Sequence, residues 1–363
     1  MINEIENHKG SDLILHRPER SAAAKSAIIK GYRRRNARYT IVCTIMASIL
    51  FGLICTEMIY GKTIYSPSVI IGNILGKTDE GSFTIMTLRL PRMLTGLLCG
   101  LAFGMSGNTF QKILRNPLAS PDIIGVSSGS SLAAVIAILI FHLSGAIVSV
   151  WAVVVGLGVA LGIYALSHGH GFSHNRLILI GIGFQAFLSA AISWILLNTS
   201  AYELNGALRW LSGSLNSATL DNLPVLAVVV AAAGIAILCL NKHLVTLQLG
   251  EEFAQTLGAN PNLTRILLII FALLLTAFAT AAAGPIASVA FLAGPISTKL
   301  SGSAGKGNMV AAALTGAILV LAADLTGQYA FSVRYPVGVI TGIIGAPYLL
   351  FLLISMNKKG SGI

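Results

Sequence analysis

The chain has 363 residues, of which 55% are hydrophobic and only 10% charged, with a mean hydropathy of +0.81. A soluble domain carries about 25% charged residues, so this composition excludes a water-facing enzyme, a nucleic-acid-binding domain and a disordered chain, and leaves a helical membrane protein. The net charge of +11 is unevenly placed, with nine of the 24 Lys and Arg residues between Met1 and Arg38.

Residues 1–38 read as a basic tail, and the apolar run after them leads into Glu57 without a small-residue cleavage site, so it is a retained span and not a secretory signal. Stretches free of Asp, Glu, Lys and Arg then serve as a ruler, because a spanning helix needs about 20 mostly apolar residues. Residues 39–56 and 93–111 each give one span. Residues 123–175 hold two, with the turn at His142-Leu143-Ser144-Gly145, and 177–202 and 222–241 give one each. Residues 266–298 are broken by Gly284-Pro285 into a full helix ending near Ala283 and a shorter one from about Ile286 to Leu300. Residues 307–323 and 335–357 complete ten helices, an all-α polytopic membrane domain over residues 39–357.

Ten spans put both termini on one side. If that side is cytoplasmic, 18 Lys and Arg residues lie inside and six outside (Lys62, Lys77, Arg89, Arg92, Arg209 and Arg334), in line with the positive-inside rule. The basic charge is thus a topology signal. Gly96, Gly100, Gly104 and Gly107 recur at spacings of three and four, which suits close helix packing in lipid.

Chemical motifs are sparse. Residues 72–78 fall one residue short of a phosphate-binding loop. His168, His170 and His174 cluster near the inner end of the fourth span, but no cysteine or carboxylate completes a metal set, and they read as a polar loop. Cys43, Cys55, Cys99 and Cys239 form no paired motif and read as small buried hydrophobes. Asp324, late in the ninth span, reads as a structural residue at the outer end. Three connections are more specific. Arg89-Leu90-Pro91-Arg92 places two arginines three apart, on one side of a helix start. In residues 116–129, Asn116-Pro117 and Pro121 stop a helix, Gly125 and Gly129 permit close approach, and Ser127 and Ser128 are expected to cap free backbone N–H groups. Residues 249–258 (Leu249, Gly250, Glu251, Glu252, Gln255, Leu257 and Gly258 among them) suit a short surface helix between two glycines, placed to meet a cytoplasmic partner.

These segments, with Ala283-Gly284-Pro285-Ile286 and Pro336-Val337-Gly338-Val339 through Gly345-Ala346-Pro347, resemble in order and spacing the permease subunits of ABC importers for iron–siderophores, haem and cobalamin. The resemblance covers nearly everything from Tyr39 to Met356. It implies ten helices, a homo- or heterodimer of permeases, two cytoplasmic ATPase subunits that hold ATP and Mg, and an external substrate-binding protein. No cofactor on this chain is implied, and no enzymatic activity. It also implies that Arg89 and Arg92 face acidic residues of the binding protein. The family's basic residue before the last span is replaced by Gln328, with Arg334 the nearest cation. Residues 242–265 correspond to the family's coupling region. Asn116, Pro117, Gly125, Ser127, Ser128, Gly129, Gly284, Pro285, Gly294 and Pro295 are expected at the pathway or at helix breaks. The Gly294-Pro295 pair is similar to that of iron–siderophore members. The expected function is import of a ferric siderophore through the bacterial plasma (inner) membrane; cobalamin or haem is the alternative cargo. An ion-coupled secondary transporter is the alternative class, and the spans carry few of the carboxylates a proton relay needs.

Overall fold

A computed structural model describes residues 17–167, 174–258, 260–302 and 308–360. His168 and His170 lie outside the described residues, and of His174 only the backbone is described, at the start of a helix. Among the described residues the fold is helical: α1 Arg17–Ile59, α2 Pro67–Ile74, a π-helical stretch Phe83–Arg89 running into α3 Leu90–Ile113, a 3₁₀ turn Pro121–Ile124, α4 Val126–Leu139, α5 Ala146–Ser167, α6 His174–Leu197, α7 Ala201–Leu211, α8 Leu223–Leu247, α9 Glu251–Thr256, α10 Pro261–Ala283, α11 Val289–Ser301, α12 Met309–Tyr329 and α13 Val337–Gly360.

Eight of these are long and apolar enough to cross a membrane. Two shorter helices, α4 with 14 residues and α11 with 13, complete the ten expected from the sequence. The α4–α5 turn falls where expected, with His142 and Gly145 both at positive φ. α10 ends at Ala283, and Gly284 there adopts φ +72°, ψ 179°. The carbonyl freed at Ala283 accepts from Ser214 N at 2.7 Å.

α3 lies at the centre, packed against α12, α10, α11 and α8. Its glycines make this possible. A Cβ built on Gly100 would stand 2.5 Å from Ala317 Cα and 2.7 Å from Gly316 O, so α3 and α12 meet backbone to backbone. The two ends of the bundle are conveniently called the Arg92 end and the Lys112 end, after the residues near either end of α3.

Three features depart from the sequence reading. α1 does not begin near Tyr39; it runs unbroken through the basic segment from Arg17, because Arg and Lys are good helix formers whether or not they enter the bilayer. The second span begins earlier than Met93, in the π stretch, where Leu90 N bonds to Ile85 O five residues back, just before Pro91 withdraws an N–H. Of the cysteines only Cys99 is buried; Cys239 is exposed on α8, and all four are free thiols.

Candidate functional site

At the Arg92 end, α1, α3, α7, the turn before α8, α12 and the loop before α13 surround a cavity of about 670 Å³. Arg89, Arg92, Arg334, Arg209 and Lys62 all line it, with Glu57 and Gln328. The three-residue spacing of Arg89 and Arg92 does bring both to one cavity. Their forks, however, are engaged within the chain. Arg92 holds Asp324 side-on, Nε to Oδ2 at 2.6 Å and Nη2 to Oδ1 at 2.7 Å, and its Nη1 donates to Asn216. Asp324 is 1% exposed, so this is a buried bidentate ion pair across the α3–α12 seam. Gln328, one turn on, donates to the same carboxylate. Glu57 on α1 is also buried, its oxygens closed off from solvent, with Asp324 and Arg92 as its charged neighbours.

Arg89 serves α1. Its Nη1 donates to Met58 O at 2.7 Å and Ile59 O at 3.0 Å, and Nη2 to Thr63 O at 2.6 Å, closing the carbonyls that a helix C-terminus leaves open. The guanidinium also lies over Tyr65, 5.2 Å from the ring centre. Among the described residues, the cations lining this cavity without a hydrogen-bond or ion-pair partner are exposed: Lys62, Arg209 and Arg334. Arg209 stands on α7, a helix the sequence reading missed. The spacing of Leu204, Ala207, Leu208 and Leu211 could have shown it; Ala207 and Leu211 pack onto α4.

Residues 116–129 form the expected break. Asn116 Oδ1 accepts from Leu118 N at 2.9 Å, Pro117 is the second residue of a turn closed by Ala119 N on Asn116 O, and Pro121 opens the 3₁₀ segment. Gly125, at φ +73°, turns the chain into α4, and Gly129 packs against Val159 and Gly156 of α5. The serine caps are a correction. The start of α4 has no side-chain cap, and Ser127 donates to Asp122, which also receives Ser120 Oγ at 2.9 Å. Ser127 acts as a donor to the carboxylate inside the break and not as an acceptor for a helix N–H. Ser128 lies in the first turn of α4 and makes no such cap.

Gly294 and Pro295 lie inside α11. Pro295 has no N–H to give Phe291 O, four residues back. Gln111 of α3 supplies the donor, Nε2 to Phe291 O at 2.9 Å, and it fits because Gly294 has no Cβ; one built there would collide with the Gln111 amide. Gly284 and Pro285 form the connection between α10 and α11, where Gly284 packs on Trp210 O and Pro285 O lies against Gly213.

At the Lys112 end, Gly250 (φ +123°) and Gly258 (φ +78°) bracket α9 as expected. Ala254 is buried with Leu247, which anchors the helix. Leu249, Phe253 and Leu257, spaced by four, are 65%, 66% and 68% exposed, and Glu252 and Gln255 are exposed beside them. The backbone of Glu251 opens α9. Among the described residues no three His, Cys, Asp or Glu side chains could share a metal ion.

Comparison with known proteins gives a consistent result. The model of the FecCD transport family matches residues 48–355. The ferric enterobactin transport system permease protein FepG of Escherichia coli (strain K12) is 35% identical over 89% of this chain and 98% of its own length. The Fe(3+)-citrate import system permease protein YfmE of Bacillus subtilis (strain 168) is 34% identical over 91% of this chain and 100% of its own. A solved structure described as an inward-facing conformation of a metal-chelate type ABC transporter superposes with a TM-score of 0.76. It is 27% identical and covers 87% of this chain and 99% of that one.

Proposed function

The chain belongs to the FecCD transport family, and on that premise we propose that it is the membrane-spanning permease of an ATP-driven importer, moving a ferric siderophore across the plasma (inner) membrane. The chain does no bond chemistry and binds no cofactor. Two cytoplasmic ATPase subunits hold ATP and Mg, a second permease, identical or sister, completes the pathway, and an external binding protein delivers the chelate. The even number of spans and the bias of Lys and Arg toward the Lys112 end support placing both termini, and that end, in the cytoplasm.

The observation that carries this reading is α9. A six-residue helix fixed by one buried alanine presents Phe253 to solvent, flanked by the equally exposed Leu249 before it and Leu257 at its end, at the face richest in cations. An exposed apolar patch of this kind marks an interface, and a groove on an ATPase suits a helix of this length. The carrier of external docking is the cavity at the other end. Arg89, Arg92 and Arg334 are its docking residues in this reading, with Arg334, Arg209 and Lys62 reaching outward and Arg92 meeting an incoming carboxylate only by loosening its hold on Asp324.

Deleting the chain and restoring it, with uptake of radiolabelled iron supplied as a panel of ferric chelates, tests the function. Uptake that falls on deletion and returns on restoration is the expected result. Uptake of every ferric chelate unchanged by deletion overturns it.

A further inference from the structure

Three cations converge at the Lys112 end on one cavity of about 540 Å³. Lys112 is in the last turn of α3, Arg115 follows it, and Lys299 comes from the last turn of α11. Among the described residues no Asp or Glu lines the cavity. Lys112 Nζ is closed off from solvent and has no hydrogen-bond partner among the described residues. Asn308, on the same wall, does not serve it: its Oδ1 already accepts from Ser301 Oγ at 3.1 Å. The positive-inside bias explains cations in loops; it does not explain an ammonium turned into the bundle. A buried ammonium without a counter-charge is strongly disfavoured, and an anion brought into the cavity would supply the counter-charge that the described residues do not.

We propose that this cavity is an anion-binding site on the cargo's way out, in which Lys112, flanked by Arg115 and Lys299, meets anionic oxygens of the metal chelate, so that the chain carries its chelate as an anion. The proposal rests on the reading of the chain as a ferric-chelate permease, and Asn116, Pro117 and Pro295, expected on the pathway, line the same cavity. The cavity at the opposite end has the same sign: among the described residues five cations line it, one of them paired with Asp324, and the one carboxylate on its wall, Glu57, is buried. An anionic chelate therefore meets positive charge at both ends. A neutral chelate gains nothing from Lys112, and a cationic one is repelled.

The test is iron uptake in cells bearing the complete importer, with iron supplied as an anionic ferric tricatecholate, an anionic ferric citrate or a neutral ferric trihydroxamate. The host without the chain is compared with the wild type, Lys112→Gln and Lys112→Arg. Chain-dependent uptake is expected for at least one anionic chelate and not for the neutral one, and the tricatecholate and citrate arms tell catecholate from carboxylate oxygens. Loss of one charge-assisted contact in Lys112→Gln should lower uptake about tenfold, and Lys112→Arg should keep most of it. If Lys112→Gln does not reach the membrane, Lys299→Gln, whose side chain is exposed and overlies Phe351, carries the test with the same expectation. Chain-dependent uptake of the neutral trihydroxamate, or of an anionic chelate at an undiminished rate in the folded variants, overturns the proposal while the importer reading stands. Uptake of no ferric chelate depending on the chain removes the importer reading first, and this proposal with it.

Discussion

Arg92 and Gln328 share one acceptor. Arg92 Nε at 2.6 Å and Gln328 Nε2 at 2.7 Å both donate to Asp324 Oδ2, one from α3 and the other from the next turn of α12. With Arg92 Nη2 on Oδ1, the buried carboxylate has three donors. A neutral amide suits position 328, because the charge of Asp324 is already matched by Arg92. Removing one partner should be worse than removing both. Asp324→Asn should cost about 3–5 kcal/mol, whereas Arg92→Met with Asp324→Leu should cost less, because neither charge of the pair is left behind unmatched. Thermal unfolding of the purified chain in detergent checks this; equal losses in the two variants would contradict it.

The α3–α12 seam tolerates no side chain at Gly100. Gly100→Val should lose about 1–3 kcal/mol through overpacking, with less folded protein recovered from membranes. Gly52→Val, on the exposed face of α1 with nothing within 4 Å, should match the wild type. Size-exclusion profiles of the two variants distinguish them.

Gln111 answers the gap left by Pro295. Gln111→Leu should strand Phe291 O in an apolar setting, at about 1–3 kcal/mol. Pro295→Ala restores the intrahelical donor, so the double variant should recover most of that loss. A double-mutant cycle by thermal unfolding measures the coupling, and additivity would rule the relationship out.

On the proposed coupling surface, Phe253→Asp or Leu257→Asp should abolish transport while leaving membrane levels unchanged, since both side chains are exposed and support no core. Iron uptake alongside immunodetection in the membrane fraction reads both. Normal uptake in these variants would remove α9 from the interface.

Docking at the other end should respond to charge through the on-rate. Arg334→Glu with Arg209→Glu should slow association with the binding protein about tenfold or more at low salt and less at high salt, as rim charges steer encounter and not affinity. Surface-captured importer titrated with binding protein at two ionic strengths gives the rates; a salt-independent change would point to packing instead.

Much of the architecture was legible because lipid imposes a length on every charge-free stretch. Those stretches located all ten helices, including the short α11 that Gly284-Pro285 separates from α10. The ruler fails where charge does not interrupt a helix, which is why α1 and the π stretch before α3 begin earlier than expected. It also fails for α7, which lies too polar to register as a span. At the site, spacing placed Arg89 and Arg92 on one cavity and bracketed α9 between its glycines. Partners distant in sequence were not legible. Arg92 is 232 residues from Asp324, and Gln111 is 180 from Phe291. Glu57 gave no signal because it looked like the boundary of a span. Ser127 was misassigned because its spacing does not say whether the hydroxyl accepts from a helix N–H or donates to a carboxylate five residues back.

The length of α1 changes what the basic segment is. Its 43 residues extend about 65 Å at 1.5 Å per residue, roughly twice the hydrocarbon thickness of a bilayer. Where the rod leaves the apolar zone, Arg38 donates Nε at 3.3 Å and Nη2 at 3.0 Å to Leu300 O, at the end of α11. A truncation of the first 38 residues, drawn where composition changes, would therefore cut through the middle of a helix and take with it the donor that closes the end of another. The boundary for a shortened protein lies upstream of Arg38, and composition alone puts it in the wrong place.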